Sequence, residues 1–212
     1  MIANDIIENV VAKVQDSSFD EDAVLALINE GRLHIASLVD LPALQKGADL
    51  TATAAASSVL LPTDYHKGIF WVWSTAQNRR IGSRSGDYYN LLTFMEDYPG
   101  QAGRIDAVCV DGDYLLYKGA ADDTLKVRYY AQPATITAAT ASPTELPYQF
   151  QRKLIVAYCC KEIFAEIEQG MEGAKVDTDF WSAQFARGVA ELELFVARNK
   201  PREAKYVRDM SQ

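Results

Sequence analysis

Residues Tyr148 to Gln169 read YQFQRKLIVAYCCKEIFAEIEQ, and this stretch decides the fold. Its apolar side chains, Phe150, Leu154, Ile155, Val156, Ala157, Tyr158, Cys159, Cys160, Ile163, Phe164, Ala165 and Ile167, cover far more than one stripe of a helical wheel. A helix that is apolar nearly all round must be buried on most sides. Pro147 fits the first turn, where a missing N–H costs nothing, and Gly170 is a natural stop. A helix of this length reaches about 30 Å, the width of a small domain. It is the expected central post of a helical core.

Outward from it, Asp177 or Thr178 can cap a last helix through Phe180, Trp181, Phe185, Val189, Leu192, Leu194, Phe195 and Val196, closed by Pro201. At the other end of the chain, Asn4 or Asp5 can cap a first helix whose Ile6, Ile7, Val10, Val11 and Val14 recur at helical spacing. Ser18 with Glu21 three residues on has the pattern of a capping box opening a second helix. That helix runs to about Val39 on an apolar face of Val24, Leu25, Leu27, Ile28, Ile35, Leu38 and Val39, with Gly31 as a weak point and Leu41-Pro42 as its end.

Between the helical halves the pattern turns to strands. Gln45 to Ser58 is rich in Ala, Thr and Ser, and reads either as a flexible linker or as a loose hairpin or edge strand leading into a different layer. Ile69 to Thr75 is a strong strand, with Arg79-Arg80-Ile81 as its hairpin partner. Tyr88 to Met95 reads as a short helix. Arg104–Val110 and Asp113–Lys118 flank Asp111-Gly112, a preferred pair for a type I′ turn. Thr124 to Ala131 adds a strand in which Leu125, Val127 and Tyr129 alternate with Lys126, Arg128 and Tyr130, so one face of a small antiparallel sheet is apolar and the other wet. The expected fold is therefore α+β. Residues 1–44 and 143–199 form a helical core of three to four helices, 45–142 a β-rich insertion, and 200–212 a locally basic C-terminal tail.

The 212 residues, 49% hydrophobic, suffice for a proper core without a metal or disulfide staple. Cys109, Cys159 and Cys160 are odd in number and sit in apolar runs, which reads as three buried thiols and an intracellular setting. The start lacks a signal-peptide pattern, and no run of about 18 apolar residues marks a membrane span. The net charge of −8 argues against a surface built to grip nucleic acid.

Catalytic patterns are weak. The cysteines lack zinc spacing, and His34 and His66 have no partner at ligand spacing. Gly82-Ser83-Arg84-Ser85-Gly86 imitates a nucleophile elbow but fits a hairpin exit. The carboxylate groups fall at a helix start and along wet helix edges, and Asp111-Gly112-Asp113 is a turn without a calcium loop. No residue set is read as catalytic, cofactor-binding or metal-ligating, and no enzyme activity is expected. Two features suit binding: the aromatics crowded into the β block, among them Trp71, Trp73, Tyr114 and Tyr117, and the cluster Arg79, Arg80 and Arg84, which reads as a solvated hairpin tip ahead of a nucleic-acid contact.

The order of parts resembles that of tailed-bacteriophage head-tail adaptors, also called connector, head-completion or tail tubular proteins. The resemblance rests on Val24–Gly31, Leu60-Leu61-Pro62-Thr63-Asp64-Tyr65, Asp111–Leu115, Val127–Pro133 and Leu146-Pro147, and spans roughly residues 4 to 198. It implies a structural virion protein made in the host cytoplasm, in a closed ring of about twelve copies below the portal. Such a ring extends the DNA channel, lets DNA pass without specific binding, and docks the tail; a monomer in isolation is compatible with it. The implied partners are the portal protein, a tail protein and further copies of the chain, with no membrane and no cofactor. Lys200, Arg202, Lys205, Tyr206 and Arg208 are then candidates for portal docking, and Trp71, Trp73, Arg79, Arg80, Tyr114 and Tyr117 for the subunit or tail interface. The alternatives are a tail or baseplate component binding a receptor or carbohydrate through its β domain, and a small accessory domain or enzyme.

Overall fold

The computed structural model describes residues 2–16, 18–81, 103–118, 121–169 and 175–199. The chain divides into two units, Met1–Asp40 with Ile136–Gln212, and Leu41–Thr135.

The first unit is helical, with α1 (Ala3–Val14), α2 (Glu21–Leu38), α3 (Tyr148–Ile167) and α4 (Val176–Asn199). The other three helices all pack on α3, the central post. Leu154 through Cys160 are buried without interruption, which a one-sided amphipathic helix could not be. Around them lie Ile6, Ile7 and Val10 of α1, Val24, Ile28 and Ile35 of α2, and Phe185, Leu192 and Val196 of α4. Gly31 and Gly188 let the helices approach closely. A Cβ on Gly31 would lie 2.7 Å from Tyr158 Cδ1, and one on Gly188 2.6 Å from Leu154 Cδ2.

A charged pair is built into this core. Arg32 on the buried side of α2 donates through Nε and Nη2 to Glu145 Oε1 and Oε2, at 2.6 and 3.0 Å, and the two side chains are only 4% and 6% exposed. Asn29, one turn earlier, accepts from Arg32 Nη1 and from the Ile136 amide, and donates to the Ile136 carbonyl. This network ties the segment returning from the second unit to α2. Bidentate geometry is what makes so buried an ion pair tolerable.

Three helix starts differ from expectation. Helix α1 begins at Ala3 behind Ile2, whose amide donates to the Asp5 carboxylate at 3.1 Å, so neither Asn4 nor Asp5 is its N-cap. Ser18 does not cap α2, because its hydroxyl and amide both bond to Asp16; Asp20 caps instead, accepting from the Ala23 amide at 2.8 Å. The start of α4 is capped neither by Asp177 nor by Thr178. The Glu168 carboxylate reaches across to accept from both of their amides and from the Thr178 hydroxyl. These bonds to the charged form hold Glu168 below the usual carboxylate range.

Among the described residues the second unit holds two antiparallel sheets, where the sequence suggested one. The larger has strand order β1-β7-β3-β4, from Gln45–Ala52, Asp123–Ala131, Tyr65–Ser74 and Arg79–Arg80. The smaller has order β2-β6-β5, from Ser58–Leu60, Tyr114–Lys118 and Ala107–Asp111. Their inner faces share one core, including Leu50, Val72, Leu115, Tyr117, Leu125, Val127 and Tyr129. The Ala/Thr-rich stretch thus becomes the edge strand β1 and then β2, which pair with β7 and β6 in different sheets. The β5–β6 turn is shifted by one residue from the expected one. Asp111 pairs with Tyr114, so Gly112 and Asp113 are central, and only Gly112 has positive φ, at 54°. Glycine at the first central position suits a type II′ turn. The expected short helix over Tyr88–Met95 lies outside the described residues.

Candidate protein-interaction surface

The outer face of the larger sheet is assembled by register. Trp71 and Trp73 stand two residues apart on β3 and so on one side, opposite the buried Val72 and Ser74. Pairing sets Arg128 across from Trp71, and both Lys126 and Arg80 across from Trp73. The indoles stack at 5.9 Å with planes 13° apart. An irregularity in pairing between Ile69 and Trp71 brings Phe70, 37% exposed, against the Tyr130 ring at 5.2 Å, and Lys67 Nζ lies 5.9 Å from the same ring. The face therefore combines four aromatic rings with the cations Lys67, Arg80, Lys126 and Arg128. Asp49, across from Lys126 on β1, is an acid on it.

The hairpin presenting Trp73 and Arg80 is held by Asp123. Its carboxylate accepts from the Ser74 hydroxyl and from the Ala76 amide, while Ser74 Oγ accepts from the Gln77 amide. Asn78 then takes the left-handed conformation that asparagine tolerates, φ 49°, before Arg79 and Arg80 return to the sheet. Farther along the sheet, Asp64 accepts from Lys46 Nζ and from the Tyr129 hydroxyl, both at 2.6 Å. The Lys46 contact and then the Tyr129 contact hold Asp64 below the usual carboxylate range.

The remaining sequence candidates lie elsewhere. Arg79 is turned to Asp106 and Gln77, so its charge is matched. Tyr114, 47% exposed, is on the smaller sheet, paired with Leu60, which is 60% exposed. Tyr117 is 3% exposed; its hydroxyl bonds the Thr53 backbone and its ring fills the core. Arg84, Lys200, Arg202, Lys205, Tyr206 and Arg208 lie outside the described residues. Lys126 and Arg128 were not singled out from sequence, although their alternation with Leu125, Val127 and Tyr129 was the signal for the wet face.

The helical unit offers a different surface. A groove of about 520 Å³ between α2 and α3 is lined by Leu27, Tyr158 and Ile163 and by the carboxylates of Glu30, Glu162 and Glu166, with Lys175 at one side. Burial first, and then the negative charges of Glu162 and Glu30, push the Tyr158 hydroxyl up to about 12. Among the described residues no group of three or more His, Cys, Asp or Glu side chains is arranged to hold a metal ion. Among them, too, no helix is long and apolar enough to cross a membrane.

The chain belongs to the SU10 adaptor protein family, whose sequence pattern matches residues 1–208. This places it among phage adaptors, as the order of its segments suggested. No curated protein matches it.

Proposed function

We propose that the protein is a head-tail adaptor of the phage virion, forming a ring of about twelve copies below the portal. In this reading the helical unit is the ring's body, the β unit is an insertion that meets a neighbouring copy or the tail, and residues 200–212 are an arm docking on the portal. DNA passes through the ring without specific binding. The observation that carries the reading is the family match over residues 1–208. The sheet face on which exposed Arg80 lies beside half-buried Trp71 and Trp73 supports it, since Trp and Arg are enriched where proteins meet.

Native mass spectrometry of the protein alone, and then mixed with the portal ring of the same phage, tests the proposal. A complex of defined stoichiometry is expected on mixing, weakened by truncation after Lys200. A protein that remains monomeric and ignores the portal at low and moderate salt rules the proposal out. A second reading rests on the near-parallel Trp71 and Trp73 rings, which suit a sugar. It requires saturable carbohydrate binding by the monomer that is lost in Trp71→Ala.

A further inference from the structure

Charge is unevenly divided along this chain. The helical unit, Met1–Asp40 with Ile136–Gln212, contains 12 Lys and Arg against 19 Asp and Glu, a net of −7, whereas Leu41–Thr135 contains nine against ten, a net of −1. Within the second unit, cations gather on one side: Arg80, Lys126 and Arg128 are exposed on the outer face of the larger sheet, beside Trp71 and Trp73. Among the described residues Lys126 and Arg128 take part in no ion pair. The α2–α3 groove has the opposite charge: the carboxylates of Glu30, Glu162 and Glu166 line it beside Leu27, and Tyr158 and Ile163, only 8% and 1% exposed, close its base. Glu162 is paired with Lys161 at 2.7 Å, and Lys175 lines one side, so Glu30 and Glu166, both exposed, are the carboxylates open to a partner.

A closed ring of one chain requires a heterologous contact, in which a surface of each copy fits a different surface of the next. The geometry points to the Trp71–Trp73 face of one copy docking on the α2–α3 groove of the adjacent copy, with Lys126 and Arg128 facing Glu30 and Glu166. This rests on the ring proposed above and names the contact that closes it. The opposed charges set register and reject like-charged pairings, and the Trp71 and Trp73 rings find apolar cover at Leu27 on the groove's edge.

Charge reversal tests it. Lys126→Glu with Arg128→Glu reverses the sheet face, and Glu30→Lys with Glu166→Lys reverses the groove; all four positions are exposed, and circular dichroism verifies folding. Ring assembly on the portal is followed by native mass spectrometry as protein concentration is varied. Each reversal alone is expected to raise the concentration needed for half-assembly about tenfold or more, and all four substitutions in one chain to restore it to within about threefold. If wild type forms rings and both reversals assemble as well as it does, the inference falls and the ring stands. If the reversals weaken assembly but their combination does not restore it, the two surfaces serve separate partners and the inference falls. If the face reversal leaves rings intact but abolishes salt-sensitive retention of duplex DNA, the face contacts nucleic acid instead. If wild type forms no ring, with or without the portal, this inference and the proposed function fall together.

Discussion

Replacing Arg32 by methionine would leave Glu145 as a carboxylate that is 6% exposed and has lost both charged bonds, Arg32 Nε to Oε1 and Nη2 to Oε2. Breaking a buried pair by removing one member costs about 3–5 kcal/mol, because the survivor keeps the desolvation penalty without its compensation. That is a large share of a domain's stability of about 5–15 kcal/mol. With a urea slope of about 2 kcal/mol per M, the midpoint falls by about 2 M. The pair as a whole contributes far less than this figure suggests. Arg32→Met combined with Glu145→Leu removes both charges and fills the space with apolar volume, and such replacements are often neutral or stabilising by about 1–4 kcal/mol. Asn29 keeps its two bonds to the Ile136 backbone in the double variant, so the returning segment remains tied to α2. The assay is urea unfolding of the full chain followed by far-UV circular dichroism, as a double-mutant cycle. A single-variant cost below about 1 kcal/mol, or a double variant as unstable as the sum of the singles, would refute the reasoning.

Other consequences are as direct. Gly31→Ala gains about 1 kcal/mol of helix propensity but drives a methyl into the Tyr158 ring, and overpacking costs about 1–3 kcal/mol, so thermal melting should show a net loss. Asp64 has a lowered folded pKa, so its stabilisation is complete above its ordinary value of 3.8 and is lost as pH falls through the folded value; Asp64→Asn should flatten the acid limb of a stability–pH curve measured by urea unfolding. Burial drives the Cys159 thiol well above its ordinary range and Cys160 to about 11, so a thiol reagent at neutral pH should label neither until denaturant is added. Fast labelling of either cysteine in native protein would contradict the packing of α3.

What could be read from the residues depended on how locally each element is specified. The α3 helix was legible because an all-round apolar pattern has few other solutions, and the β5–β6 hairpin because Gly112 marks its own turn. Strand β1 was ambiguous for the opposite reason. Its sequence QKGADLTA carries little β propensity, and its order comes from β7, where Lys46 faces Tyr129 far along the chain. Arg32 was not placed in the core from sequence, although Ile28, Ile35 and Ala36 one turn away are buried on its side of α2, because nothing local reveals its partner Glu145, 113 residues away. Ser18 misled because Asp16 competes locally for its hydroxyl and amide, a habit of Asp and Ser that sequence spacing alone does not rank. The interaction face was half visible. Period-two alternation put Trp71 with Trp73 and Lys126 with Arg128, but only the β3–β7 register shows that the two pairs share one side.

The central claim is about position, and electron cryomicroscopy of the phage's portal vertex tests it most directly. A ring of this chain, its four helices and two sheets fitting density between portal and tail, is the predicted result. Density for this chain at the distal end of the tail, or a portal joined to the tail with no copy of it between them, would contradict the account.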